Sequence, residues 1–238
     1  MSARRYAGAL ATLMFGLGST VACSPDRAVT PVDPSPGPLT TDVTGTPSIL
    51  SPPPSEGPGR TAPGIHLAAI PRADGSFDIT EDVVLRSEVA VIRLQPPRSG
   101  EHLPGMMRST QPVATNLWIT AAGQRVPAAA QLAVNLIVPL TVATTRLRLT
   151  YRLTNSTLRS QPSESGRAAA AISPLTAAVD GTLPTNYQIS GGGLLNAVCP
   201  ELTETRCAVG EPPGLGIQPG IPAGQALVVL QLDLPKQA

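Results

Sequence analysis

Charge and aromatic side chains are both scarce in this chain of 238 residues. Asp, Glu, Lys and Arg make up 14% of it and Phe, Trp and Tyr only 3%, where an average soluble protein is roughly 25% charged. With so few aromatics, any core has to be built from Val, Leu, Ile and Ala. Formal net charge is +1, which offers no electrostatic pull toward nucleic acid or an anionic membrane surface. Histidine occurs twice, at His66 and His102, so a nucleophile–imidazole–carboxylate triad has almost nothing to draw on. No Gly-x-Ser-x-Gly elbow is present. Gly191-Gly192-Gly193 lacks the Gly-Lys-Ser/Thr ending of a phosphate loop and the spacing of a dinucleotide fingerprint, and it reads as a turn or bulge. Acidic residues are scattered and form no glycosidase pair or calcium loop. These absences point away from catalytic residues, cofactors and metals assigned by motif.

Proline and glycine are plentiful, at 27 and 22 residues. They break up helices and favour short strands and turns. No strand–helix alternation of the doubly wound kind is visible.

The N-terminus carries the single apolar run of a length that concerns membranes. Arg4 and Arg5 precede an apolar stretch from Ala7 to Gly18, and small residues lead from Ser19 to Ala22, just before Cys23. That is the layout of a secretory signal peptide over 1–22, and it is too short for a membrane-spanning helix. Tyr6-Ala7-Gly8 does not continue the twin arginines as a twin-arginine signal requires. Two processing routes follow: cleavage after Ala22, or lipidation of Cys23. Thr20-Val21-Ala22-Cys23 resembles the lipobox of bacterial lipoproteins, with Thr20 where Leu is usual. The resemblance implies an acylated Cys23 and a lipid-anchored protein facing the periplasm or the cell exterior. Cysteine arithmetic favours that route: of the three cysteines, Cys199 and Cys207 are close enough to pair, which leaves Cys23 over.

Residues 23–63 read as the anchor cysteine followed by a proline-rich linker. Pro, Ser, Thr and Gly dominate it, and it has too little apolar bulk to offset the entropy of ordering. Forty such residues in a polyproline II conformation reach on the order of 100 Å.

From residue 64 to 238 the pattern becomes that of strands. Leu147, Leu149, Tyr151 and Leu153 alternate with Arg146, Arg148, Thr150 and Arg152. Ala226, Val228, Leu230, Leu232 and Leu234 form a second period-two set. Strands are also predicted at Val83–Leu94, Val113–Ile119, Leu132–Val138, Ala168–Ile172, Thr176–Val179, Asn186–Ser190 and Leu194–Cys199. Within these, Val113, Thr115, Leu117 and Ile119 are predicted to share one face, as are Leu132, Val134, Leu136 and Val138. Turn signals separate the segments. The whole reads as an all-β fold, a single immunoglobulin-like β-sandwich.

Candidate sites are few. Cys199 and Cys207 are expected to form a disulfide in an oxidising compartment. Trp118 and the row Arg146, Arg148 and Arg152 mark a candidate binding face. His102, Met106 and Met107 carry soft donors suited to copper, without a recognised motif. The leading expectation is a non-catalytic binding or accessory domain, docking an envelope protein or a wall polymer. The alternatives are an exported enzyme whose active site follows no motif, and a copper-handling protein.

Overall fold

The computed structural model describes residues 55–101, 110–159, 166–191, 193–211 and 214–234. The predicted signal peptide over 1–22, Cys23, most of the proline-rich stretch, and His102, Met106 and Met107 lie outside the described residues.

The described chain is built of strands. The first, β1 (Gly64–Pro71), turns through Ala73-Asp74-Gly75 into β2 (Phe77–Leu94). Next come β3 (Val113–Ala121), β4 (Gln124–Val126), β5 (Gln131–Leu132) and the long β6 (Leu136–Thr154). The second half holds β7 (Thr157–Arg159), β8 (Arg167–Ile172), β9 (Pro184–Ile189) and β10 (Leu194–Val198). The short β11 (Ala208–Val209) and β12 (Gly216–Ile217), then β13 (Ile221–Pro222) and β14 (Val228–Asp233), complete the order. A 3₁₀ turn spans Ala223–Gln225.

Eight strands form one large sheet in the order β13-β9-β1-β2-β6-β3-β4, with β5 also on β3. A second sheet runs β10-β14-β8-β7, and β11 pairs with β12 alone. The fold is therefore an all-β sandwich. Its large sheet includes one parallel pair, β1 with β9. Val, Leu, Ile and Ala from both sheets meet in one core cluster, as the scarcity of aromatics demands. Leu147, Leu149, Tyr151 and Leu153 point into it, as do Val228, Leu230 and Leu232.

Three local expectations fail, each for a physical reason. In β3 the pairing register shifts between Thr115 and Trp118, and Asn116 takes φ 54°. This bulge flips the alternation, so Ala114, Leu117 and Ile119 are buried together while Thr115 falls on the other face. Leu132 to Val138 is not one strand: β5 ends at Leu132, β6 begins at Leu136, and Val134 between them is 72% exposed. Thr176–Val179 is a turn rather than a strand, closed by Val179 N donating to Thr176 O at 2.9 Å. The alanine-rich β8 does run as a strand, because β14 and β7 supply ladder partners on both sides. Alanine's weak strand preference yields to that tertiary pairing.

Ordered packing begins ahead of β1. Arg60, Thr61 and Ala62 donate their backbone N–H groups to Gly57 O at 3.0 Å, closing a tight turn. Gly59 presses this turn against the sheet. A Cβ there would lie 2.2 Å from His66 N and 2.6 Å from Asp82 O, and its φ of +76° also suits glycine.

Candidate functional site

Strand period two places consecutive residues on opposite faces. Glu81 points into the core, so Asp82 points out. The register then aligns one polar row across six strands of the large sheet. Asn186 of β9 sits beside His66 of β1, and His66 beside Asp82 of β2. Asp82 is opposite Arg148 of β6, Arg148 opposite Thr120 of β3, and Thr120 opposite Arg125 of β4.

Asp82 is the hub of this row. Its carboxylate accepts from Arg148 Nε at 2.5 Å and from Arg60 Nη1 at 2.6 Å. Arg60 arrives from the 57–62 turn. Arg146, one strand period from Arg148, donates from Nη1 to Arg60 O at 3.2 Å. The turn and the sheet enclose a pocket of about 340 Å³ whose charged lining is Arg60, Arg146, Arg148 and Asp82. Three guanidiniums against one carboxylate leave two positive charges in excess. The Asp82 side chain is 9% exposed and that of Arg148 57%, so the pair lies between a buried and a surface ion pair and is partly screened.

The residues marked by sequence share this outer face but not one role. Arg152 donates from Nε to Asp78 Oδ1 at 3.1 Å, and Arg72 from Nη1 to Asp78 Oδ2 at 2.7 Å. Desolvation raises the Asp78 carboxyl, but the hydrogen bonds and charges of Arg72 and Arg152 outweigh it and leave its pKa below the usual value. Arg152 is thus engaged by Asp78 and lines no part of the pocket at Asp82. Trp118 is 46% exposed, and the Arg125 guanidinium carbon lies 3.5 Å from its ring centroid. This is a cation–π stack, worth about 0.5–1 kcal/mol at an exposed position.

Glu81 is a second cluster, on the inner face. It is fully buried and accepts from Leu175 N at 2.9 Å, Thr176 N at 3.0 Å, the Thr176 hydroxyl, and more distantly Tyr151 Oη at 3.5 Å. Burial pushes its carboxyl above the ordinary range, opposed by these same donors. His66 is buried as well. Desolvation first, and then the charge of Arg60, lower its pKa, and its Nε2 has no hydrogen-bond partner. His66 is 2% exposed and does not line the pocket at Asp82. Neither group has the access to solvent that proton transfer to a substrate requires.

Cys199 and Cys207 form a disulfide with Cα atoms 5.7 Å apart. Both cysteines are buried in the main core. From the loop they close, Glu201 accepts two hydrogen bonds from Arg98 Nη1, at 2.7 and 2.8 Å. Among the described residues no three His, Cys, Asp or Glu side chains cluster as metal ligands would.

No protein-family model matches the chain, and no curated protein matches it. Among solved structures it is similar to an aminopeptidase N family protein from Idiomarina loihiensis, at 10% identity and a TM-score of 0.37. The similarity covers 71% of this chain and 29% of that one. It is also similar to an M1 zinc metallopeptidase from Deinococcus radiodurans, at 17% identity and a TM-score of 0.33, over 71% of this chain and 40% of that one. The chain spans well under half the length of either protein, and a likeness this low carries neither protein's activity to it.

Proposed function

We propose that this protein is a non-catalytic binding or accessory module of the cell envelope. In this reading it is exported by residues 1–22, held to a membrane by a lipidated Cys23, and carried on the proline-rich stretch that follows. Its sandwich docks an envelope protein or a wall polymer through the outer face of the large sheet. The observation that carries the docking part is the pocket at Asp82, where Arg60, Arg146 and Arg148 gather more positive charge than the fold neutralises, on the same face as the exposed Trp118. The tether reading is supported by the lipobox-like Thr20-Val21-Ala22-Cys23 and by the pairing of the other two cysteines with each other.

The test uses intact cells expressing the full chain. Wild type is expected in the membrane fraction, and Cys23→Ala is expected to release the protein into the soluble fraction. A photo-crosslinking side chain at Trp118 should capture a discrete envelope partner, and the same group at Arg206, on the disulfide loop, should not. Cys23→Ala protein that fractionates like wild type removes the anchor. Equal capture from both positions removes the docking face.

A further inference from the structure

The pocket at Asp82 holds more hydrogen-bond donors than its own chain uses. A guanidinium offers five N–H donors in a planar fork. Arg148 spends Nε on Asp82, and Arg146 spends Nη1 on the Arg60 carbonyl oxygen. Among the described residues their remaining donors meet no protein acceptor. Arg60 lines the same pocket with its Nη1 on Asp82, and its Nε, although without a hydrogen-bond partner, is buried. The only acidic side chain in the lining is Asp82, already engaged by two of the three arginines.

We infer that this pocket is a binding site for an oxyanion, a phosphate or carboxylate group carried by a larger molecule. Arg146 and Arg148 project from one strand face and present their forks from one side. The 57–62 turn brings Arg60 across from the other. Asp82 holds Arg148 by its Nε and Arg60 by its Nη1, so their orientation is set before a ligand arrives and less entropy is lost on binding. Planar, two-pronged donors match the oxygens of phosphate and carboxylate, which is the recognition that arginine performs better than lysine. A volume of about 340 Å³ lies near the lower end of ligand clefts. It accommodates the anionic group and its point of attachment, with the rest of the molecule running out over the sheet face toward Trp118. The inference deepens the docking reading by naming the chemistry that this face accepts.

Trp118, the only tryptophan in the chain, stands on the same face but outside the pocket lining, so binding is read by isothermal titration calorimetry, with its fluorescence as a secondary signal. Purified full-length protein is titrated at constant ionic strength with inorganic phosphate, and separately with acetate. Saturable binding of at least one is expected, weakened about tenfold or more by Arg146→Ala, which removes one guanidinium. Arg146→Lys, keeping the charge but not the fork, is expected to fall between. Arg93→Ala, at the far end of β2, should bind as wild type does. Among the described residues Arg146 makes no ion pair, and it is exposed, so unchanged circular dichroism is expected, and Gly59→Ala provides a second route by lifting Arg60 away. A third arm asks whether the phosphate comes from a lipid headgroup: vesicles of phosphatidylglycerol compete with free phosphate in that case, and phosphatidylcholine vesicles do not. The site is overturned if neither anion saturates, or if Arg93→Ala weakens binding as much as Arg146→Ala. If anions bind but no envelope partner is captured through Trp118, the docking reading falls and the site stands. If a partner is captured but no anion binds, the site falls alone.

Discussion

Glu81 and Asp82 are consecutive residues of β2, and the fold neutralises them by opposite means. Glu81 faces the core and is met by neutral donors: two backbone N–H groups, the Thr176 hydroxyl and, more distantly, the Tyr151 hydroxyl. Among the described residues no cation pairs with it. Asp82 faces outward and is met by two guanidiniums, with a third alongside. The inner arrangement spends its donors on one acceptor and ties the loop after β8 to the large sheet. The outer arrangement gathers more donors and more charge than its acceptor needs. A closed cluster of the first kind is structural, whereas a surplus of the second kind is available to a ligand.

The sharpest way to break this contrast is to remove the inner carboxylate. Glu81→Ala strands the Leu175 and Thr176 N–H groups and two hydroxyls in the core. It is expected to cost about 3–5 kcal/mol of unfolding free energy, since each buried donor left unpaired costs about 1–3 kcal/mol and such costs are not fully additive. Glu81→Gln keeps one carbonyl acceptor and should cost less. Urea or guanidinium denaturation midpoints measure both. A Glu81→Ala protein within about 1 kcal/mol of wild type would mean that the cluster is not the tie between loop and sheet that its geometry describes.

The outer carboxylate should cost less. Asp82→Ala leaves Arg60 and Arg148 in a partly solvated place where water can take over, and a loss of about 1–2 kcal/mol is expected. Its clearest effect is local. Without Asp82 the 57–62 turn loses its side-chain clamp, so trypsin should cut after Arg60 faster while the rest of the sandwich stays intact. Gly59→Ala should do the same by a different route, because its Cβ meets the backbone of His66 and Asp82. If cleavage after Arg60 is unchanged in both variants, the turn is held by something other than the clamp.

This comparison also shows what could be read in advance. The arginines of β6 were legible because period two depends only on neighbours along one strand, and Arg146, Arg148 and Arg152 do share a face. Their partners were not legible. Asp78 and Asp82 lie opposite Arg152 and Arg148 only through the β2–β6 register, a tertiary choice that no local pattern encodes. That choice divides the row, giving Arg152 to Asp78 and leaving Arg146 beside the pocket. Arg60 was hidden for another reason: it stands in Gly- and Pro-rich sequence with the composition of a linker, and it is ordered by contact with the sheet rather than by its own propensity. The Asn116 bulge was hidden because Val113 to Ile119 alternates well enough to look regular. The disulfide was legible from the spacing of Cys199 and Cys207, though its place inside the core depended on the fold.

The smallest expected effect concerns pH and separates the two faces again. Glu81 has a folded-state pKa above its ordinary value of 4.5. Its contribution to stability is therefore full below that value and declines as pH rises through the raised one. His66, next to Asp82 in the outer row, has a folded-state pKa below 6.5, mainly through desolvation. The unfolded chain binds that proton more readily, so the contribution of His66 is full above pH 6.5 and is lost as pH falls toward the lowered value. As pH falls from 6.5 toward 4.5 the two groups push in opposite directions, His66 lowering stability and Glu81 restoring it, and neither alone can change stability by more than about 1.4 kcal/mol per pH unit. Removing one therefore exposes the other. His66→Gln should flatten or reverse the acid-side decline in melting temperature across that range. Glu81→Gln, measured the same way, should steepen it. Identical slopes in wild type and His66→Gln would show that burial of the imidazole is not what makes the outer row sensitive to acid.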